Sequence, residues 1–223
     1  MGIAELIRLL KPATRSLHIS ELKNKTAAID IMTWLYKGVY SCSFELGTNE
    51  DTDQYLNFPL RMFSLLIANK IKPIAVFDGR SFKPKAEAEE SRRNNKEKNL
   101  EIAKKLMEEG NEEESKKYFK QSLKITSKML NTLIEILKKL DVKVVVAPYE
   151  ADAEIAHLCK NGDADFAITE DSDLILFGAP KICYKLNQDG QGVFLDLNIF
   201  KEISVDDIED PYCKLISKIV INI

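Results

Sequence analysis

The sequence predicts an α/β fold with a mostly parallel central sheet and helices on both faces. Two observations carry this prediction: short apolar runs alternate with longer stretches of helical periodicity, and several of those runs end at an acidic residue. The chain has 223 residues, of which 45% are apolar and 30% charged. It is therefore long enough and apolar enough for one sizeable soluble domain.

The expected strands are apolar runs that are short and bounded by polar or turn-forming residues. Four of them cover residues 25–29, 71–77, 142–147 and 165–169. Residues 181–197 are typical of a β-hairpin, because the turn-forming segment 187–192 separates two apolar runs.

The segments between the strands predict helices. They cover residues 54–69, 83–109, 112–140 and about 148–160. Pro59 limits the start of the first helix or kinks it. Gly110 and Asn111 divide the second stretch from the third, and both stretches carry mixed charges, so a solvated helical hairpin is the default interpretation.

Composition excludes several kinds of protein. His18 and His157 are the only histidines, which excludes a multi-histidine metal site and disfavours a histidine-based catalytic triad. The four cysteines form no C-x-x-C pair, as in a reduced intracellular chain. A net charge of −3 gives no global sign of nucleic-acid binding. No secretory signal or membrane-spanning run is present, so no membrane partner is expected.

Acidic residues follow four of the expected strands. They are Asp30, Asp78, Glu150 with Asp152, and Asp171 with Asp173. The carboxyl ends of parallel strands meet at one edge of a sheet, where ligands bind. So many carboxylates repel one another unless protons or cations neutralise them, and all-oxygen ligands select Mg²⁺, with Mn²⁺ as a substitute. Two such ions roughly 3.5–4 Å apart catalyse in-line phosphodiester hydrolysis.

Any single aspartate after a strand is more often a turn residue or a helix cap than a metal ligand. Agreement among four strand ends favours the metal site over that interpretation. Glu154 lies one turn beyond Glu150, but a solvated helix face explains it equally well. Asp163, Asp165 and Glu170 are expected to be surface or capping residues.

Several motifs resemble the flap endonuclease/XPG family of structure-specific 5′ nucleases. They are "MGI", "AAID…WLYKG", "KPIAVFDG", "APYEADAEIA" and "ITEDSDLILFG". The stretch "EEGNEEESKKYFKQSLKIT" is similar to the insert of the exonuclease-one branch. The resemblance implies a PIN-like 5′-nuclease core whose acids, here the six named above, bind two Mg²⁺ ions. It also implies hydrolysis that leaves a 5′-phosphate and a 3′-hydroxyl.

The same resemblance assigns cationic residues. Lys85 and Arg92 are seven residues apart and share a helical face, so both can contact the scissile phosphate as charge builds in the transition state. The family places a lysine and an arginine at these positions, at the base of a helical arch. Arg93 and Lys96 are expected to assist in DNA binding.

Two further DNA contacts are implied. Gly2 matches a glycine that the family's folded-back N-terminus places near the metals, and a glycine suits close approach to DNA. Tyr36 aligns with the position where relatives stack a ring on the terminal base, a sequence-tolerant contact. A partly buried tyrosine beside Trp34 is an equally good interpretation.

The resemblance also predicts the organisation of the chain. We expect a nuclease core over residues 1–205, with a helical arch at about 80–140. Residues 206–223 diverge, because they lack the family's final metal aspartate and its helix–turn–helix. Asp206, Asp207 and Asp210 offer carboxylates outside that motif.

The preferred hypothesis is a Mg²⁺-dependent 5′-to-3′ DNA exonuclease that also cleaves 5′ flaps in DNA repair or recombination. Its expected partner is double-stranded DNA with 5′ ends, nicks or flaps, with mismatch-repair proteins bound elsewhere. The family implies a nuclear monomer. A truncated, catalytically impaired DNA-binding fragment is the alternative. Another Mg²⁺ phosphohydrolase ranks last, because the haloacid-dehalogenase pattern needs a second aspartate where this chain has Met32.

Overall fold

A computed structural model of the chain describes residue 10 and residues 13–80 and 86–199. Within them, seven strands form one mixed sheet in the order β1-β7-β6-β5-β2-β3-β4. The strands are β1 Thr14–His18, β2 Thr26–Asp30, β3 Lys72–Phe77, β4 Lys143–Val146, β5 Phe166–Thr169, β6 Lys181–Tyr184 and β7 Gln191–Asp196. The five adjacent strands β6, β5, β2, β3 and β4 are parallel to one another, whereas β7 is antiparallel to both β6 and β1. The predicted α/β class with a mostly parallel sheet is confirmed.

Strand β2 lies in the interior of the sheet and pairs with β3 on one side and β5 on the other. Its residues Ala27, Ala28 and Ile29 are fully buried, as expected of a strand covered on both faces. The chain runs from β2 to β3 and β4 in one direction and from β5 to β6 in the other. The strand order therefore reverses beside β2, and the carboxyl ends of β2 and β5 flank the place where open α/β sheets bind ligands.

The α-helices of the described residues are α1 Ile31–Ser41, α2 Ser43–Gly47, α3 Asn57–Ala68, α4 Ala86–Glu108, α5 Glu112–Ser122, α6 Ser127–Lys139 and α7 Ala151–Lys160. Short 3₁₀ turns cover Ile19–Leu22, Gln54–Leu56 and Ser172–Ile175. Helix α7 packs against β2, β3 and β5. Among the residues described, no helix combines the length and the apolar character needed to cross a bilayer.

One predicted helix was wrong in extent. The stretch 112–140 is two helices, because the chain leaves the helical conformation at Leu123, whose ψ is 136°. Thr126 then caps the next helix by accepting a hydrogen bond from the N–H of Met129 at 3.3 Å. Strand β1 was not predicted, since only Leu17 among its five residues is buried and its pattern therefore lacks the apolar alternation of a strand.

The chain divides into two compact units. The sheet unit takes its described residues from 10–31, 62–79 and 141–199, and the helical unit from 32–61, 80 and 86–140. Within the helical unit, the buried Ser115 on α5 donates a hydrogen bond from its hydroxyl to the carbonyl oxygen of Ala103 on α4 at 2.8 Å. This bond fastens the two helices, which meet at Gly110, where φ is +80°.

Phe119 is the apolar centre of the helical unit. Its side chain is fully buried and meets Phe44 edge-to-face, with ring centroids 5.9 Å apart. The ring lies so close to Gly47 that a Cβ there would collide with it.

Replacing Phe119 by alanine is expected to lower the free energy of unfolding by about 3–5 kcal/mol, measured by urea denaturation followed by circular dichroism. Lys120→Ala, an exposed change on the same helix, is the control, and equal losses in the two variants would refute this account of packing.

Asp165 joins the starts of β2 and β5 in the sheet unit. Its carboxylate accepts hydrogen bonds from the N–H of Thr26 at 2.8 Å and from the ammonium of Lys25 at 3.1 Å. The Thr26 hydrogen bond, with Lys25 in support, holds the pKa of Asp165 below its usual range. The residue thus has the capping role expected of it, at the end of β5 opposite to Asp171.

The lowered pKa gives Asp165→Asn a pH-dependent effect. A carboxyl whose pKa is lower in the folded state stabilises the fold above its unfolded pKa and loses that contribution as pH falls through the folded value. We expect Asp165→Asn to lower the free energy of unfolding by about 1 kcal/mol at neutral pH, a value discounted because the side chain is 41% exposed. The difference from wild type should shrink below about pH 4. Urea denaturation across this range checks it, and a difference that stays constant with pH would contradict it.

Candidate metal centre

Three parallel strands deliver acidic residues to one edge of the sheet. Asp30 is the last residue of β2, and Asp78 directly follows β3. Asp171 follows β5 after one intervening residue and is the N-cap of the turn that contains Asp173. Because β2 pairs in parallel with both β3 and β5, these acids lie at the same edge of the sheet, where the three strands end.

Asp152 is the electrostatic centre of this group. It is the second residue of α7, the helix packed across β2, β3 and β5. Burial, together with the negative charges of nearby carboxylates, raises the pKa of Asp152 to about 7. Those carboxylates belong to Asp30, Asp171, Asp78 and Asp173. Four of the other predicted acids are therefore close enough to Asp152 to repel its negative charge.

The sixth acid, Glu150, lies at the same end of α7. It is the N-cap residue of that helix, but its own side chain makes no capping hydrogen bond. The N–H of the following residue, Ala151, instead donates to Asp78 Oδ1 at 2.8 Å. The acid after β3 thus contacts the helix that carries Asp152.

Local hydrogen bonds hold the acids after β5. The backbone N–H of Asp171 donates to the hydroxyl of the buried Thr169 at 3.0 Å. Asp171 Oδ1 in turn accepts a hydrogen bond from the N–H of Asp173 at 3.0 Å. Both positions are therefore held through their backbone N–H groups, and the bond at position 173 does not use the Asp173 carboxylate.

The donor set fits a hard divalent cation by its chemistry, since all six groups are carboxylates. Within the described part of the chain, however, no three His, Cys, Asp or Glu side chains form a group that could hold a metal ion as they stand. The suitable donor set and the lack of a ready coordination group are compatible. Carboxylates repel one another over several ångströms, whereas a bound Mg²⁺ ion needs ligand oxygens at about 2.1 Å. The carboxylates are gathered but not closed into a coordination shell.

The predicted DNA-contacting residues that the structure describes belong to the helical unit. Arg92 and Arg93 are exposed on α4, where Arg93 Nη2 lies 3.6 Å from Glu90 Oε1. Lys96, one turn further on, places its ammonium 5.4 Å from the ring centroid of the half-buried Tyr36. Sequence reasoning did not pair these two residues. Gly2, Lys85, Asp206, Asp207 and Asp210 lie outside the described residues.

Sequence reasoning also missed Gly79, which directly follows Asp78. A Cβ at this position would collide with the backbone carbonyl of Ala147. A glycine immediately after a strand-ending aspartate is a signal of close backbone approach, and the motif "KPIAVFDG" contains it.

Two family models match most of the chain. The model of the XPG N-terminal domain matches residues 1–99, and that of the XPG I-region matches residues 141–215. The chain belongs to the XPG family. The two matched regions carry all six predicted acids, and the first of them also covers residues 80–99 of the segment predicted as an arch.

Exonuclease 1 of Xenopus laevis is an XPG-family relative with 40% identity over 196 residues, which are 88% of this chain and 27% of that protein. The chain therefore spans little more than a quarter of that relative. The catalytic core of Rad2 in complex with DNA substrate has the same fold, with a TM-score of 0.65, 24% identity, and coverage of 91% of this chain and 57% of that one. Flap endonuclease-1 from Methanococcus jannaschii has a TM-score of 0.56 and 27% identity, covering 87% and 64%. The expected family and the likeness to exonuclease one are confirmed.

Nucleases of the XPG family are metal-dependent. The acid-lined sheet edge of this chain agrees with that property through its all-oxygen donors and through the mutual repulsion centred on Asp152. A cation at this edge would offset the repulsion among the carboxylates, and it would therefore lower the pKa of Asp152 and keep that carboxylate ionised.

Proposed function

We propose that this chain is a Mg²⁺-dependent nuclease core that removes nucleotides from the 5′ ends of duplex DNA and also cleaves 5′ flaps. The observation that carries the proposal is the concentration of Asp30, Asp78, Asp152, Asp171 and Asp173 at one sheet edge, with the pKa of Asp152 raised to about 7. Carboxylates brought together at this cost in repulsion need protons or cations to neutralise them, and their all-oxygen donors suit Mg²⁺. Membership of the XPG family supports the choice of DNA as substrate.

In this proposal the six carboxylates hold two Mg²⁺ ions, and Mn²⁺ can replace them. When bound, the ions supply the positive charge that stabilises the attacked phosphodiester. The Asp171 side chain orients the turn of Asp173 through its hydrogen bond to the Asp173 N–H, and Asp78 anchors the helix of Asp152. The protein thus supplies a rigid arrangement of acids before substrate arrives.

The helical unit supplies the contacts to DNA. We assign Lys85 and Arg92 to the scissile phosphate, since the planar guanidinium of arginine binds phosphate oxygens in pairs. Arg93 assists them. Tyr36 stacks on the terminal base with the Lys96 ammonium over its ring, an arrangement that serves any base because every base offers a π-face. Gly2 gives the DNA close access to the metals.

The remaining assignments follow the family. We assign residues 1–205 to the nuclease core, about 80–140 to its arch and 206–223 to a divergent tail, of which residues 206–215 still lie within the XPG I-region match. In this proposal the chain acts as a monomer in the nucleus on 5′ ends, nicks and flaps, with mismatch-repair proteins as partners. These assignments are ours and rest on the XPG-family match.

A polarity assay tests the proposal. The substrate is a 5′-recessed duplex labelled at the 3′ end of the recessed strand, incubated with the chain and increasing Mg²⁺. We expect progressive shortening of the labelled strand from its 5′ end, no shortening in EDTA, and products with a 5′-phosphate. Shortening from the 3′ end would refute the assignment. DNA binding without Mg²⁺-dependent cleavage would instead favour the impaired DNA-binding fragment.

A further inference from the structure

Three successive hydrogen bonds fasten the turn after β3 to the turn before α7. They run from the Ala147 N–H to the Phe77 carbonyl oxygen at 2.9 Å, from the Gly79 N–H to the Tyr149 carbonyl oxygen at 2.6 Å, and from the Ala151 N–H to Asp78 Oδ1 at 2.8 Å. Together they prolong the pairing of β3 with β4 as far as the first residue of α7.

Gly79 is the point at which the two turns come closest. A Cβ there would collide with the carbonyl oxygen of Ala147 and would lie 2.9 Å from the carbonyl carbons of Ala147 and Pro148. All three are backbone atoms, so no side-chain rotation relieves the clash. Gly79 is not among the glycines with positive φ, and the requirement is therefore for space and not for an unusual backbone conformation.

Asp78 caps α7 from a distant part of the chain. The first N–H groups of a helix have no partner within the helix, and a side-chain oxygen usually satisfies one of them. In α7 the N-cap residue Glu150 does not do so with its side chain, and Asp78, 73 positions before Ala151, takes its place. Its negative charge also suits the positive end of the helix dipole. Because Asp152 follows Ala151 directly, this contact fixes where Asp152 lies relative to Asp78.

We propose that Gly79 is a positioning residue of the metal site, and that Asp78 serves the site twice, as a ligand and as the cap that holds the helix of Asp152. This inference rests on the proposed function and adds a residue to it. A side chain at position 79 pushes the two turns apart, breaks the bond between Asp78 and Ala151, and separates the two acids. The spacing of the acids depends on a residue that bears no donor for a metal.

Three variants separate the two roles of this contact. Gly79→Ala disturbs both roles, whereas Asp78→Asn retains the side-chain oxygen that caps α7 and loses the charge that binds metal. Gly162→Ala is the matched control, since Gly162 follows the other end of α7, has a φ of +81° and has no atom within 4 Å of an added Cβ. It strains the backbone of the same unit without touching the acids.

Two readouts are made on each variant. Hydrogen–deuterium exchange of the metal-free protein follows the Ala151 amide, and electron paramagnetic resonance follows the loss of the free Mn²⁺ signal. In Gly79→Ala we expect the Ala151 amide to exchange about tenfold faster and Mn²⁺ affinity to fall by about 10- to 100-fold. Asp78→Asn should lose Mn²⁺ affinity with near-normal exchange, and Gly162→Ala should change neither.

Unchanged Ala151 exchange in Gly79→Ala would overturn the proposal, because the close approach would then not maintain the cap. Faster exchange with unchanged Mn²⁺ affinity would also overturn it, since the contact would then be structural only. If the wild-type chain takes up no Mn²⁺, the proposed function fails, and the positioning role fails with it. Normal uptake by both the wild type and Gly79→Ala refutes the positioning role alone.

Discussion

Replacing Asp173 by alanine is expected to lower the rate of Mg²⁺-dependent DNA cleavage by about a thousandfold, because a lost metal ligand removes several kcal/mol of transition-state stabilisation. The substitution is clean, since the 3.0 Å hydrogen bond to Asp171 Oδ1 uses the backbone N–H of residue 173 and survives in the variant. Asp171→Ala, in contrast, would also remove the cap of this turn. Single-turnover cleavage of the 5′-recessed duplex measures the effect.

DNA affinity distinguishes this loss from unfolding. Fluorescence anisotropy in EDTA should give Asp173→Ala nearly the affinity of the wild type, because our proposal assigns this acid to metal and not to phosphate. Asp163→Ala, an exposed change in the loop beyond the far end of α7, should leave both cleavage and binding unchanged. Parallel losses of binding and rate in Asp173→Ala would count against the metal assignment.

Arg92→Ala is expected to slow the chemical step about 100-fold while changing DNA affinity far less, since a preorganised cation acts chiefly on the charge that develops in the transition state. Arg92 is exposed on α4, and a guanidinium can bind phosphate through paired donors. Arg92→Lys keeps the charge but not the paired donors, so its rate should lie between those of wild type and Arg92→Ala. Rapid-quench single-turnover kinetics at saturating enzyme separates chemistry from binding.

Lys98→Ala is the matched control for this experiment, because Lys98 is an exposed cation on the same helix with no assigned role. Arg92→Ala removes one proposed phosphate contact, so this variant should bind DNA modestly more weakly and with a reduced salt dependence. Equal effects of Arg92→Ala and Lys98→Ala would show that α4 contributes only general positive charge. The special role of Arg92 would then have to be abandoned.

The sequence predicted the sheet well where burial and chain order decide the structure. The apolar run 25–29 matches β2, and the run 165–169 matches β5, each to within one residue at either end. Both were recognisable because strands buried on both faces are mostly apolar. Strand β1 was not predicted, because Arg15 and Ser16 are exposed. It joins the sheet only by pairing with β7, which lies far along the chain. Thr126 and the break before α6 escaped because a cap inside a helix-prone stretch is a weak signal.

The acids of the site were predictable for the same reason as the strands that carry them. Their contacts were not predictable, because the bond between Asp78 and Ala151 joins residues 73 positions apart and depends on how α7 packs. The raised pKa of Asp152 likewise needs burial together with four neighbouring charges, which no local pattern reveals. The position of Lys96 over Tyr36 was not predictable either, because the two residues lie 60 positions apart on different helices of the helical unit.

The most direct test of the central claim is a Mn²⁺ titration of the metal-free chain, followed by electron paramagnetic resonance and repeated with excess Mg²⁺. The variants are Asp152→Asn, at the centre of the carboxylate group, and Asp163→Asn as a surface control. The account predicts saturable uptake by the wild type and by Asp163→Asn, displacement by Mg²⁺, and uptake largely lost in Asp152→Asn. Equal uptake by all three proteins, or none by the wild type, would contradict the claim that the acids at this sheet edge form a metal site.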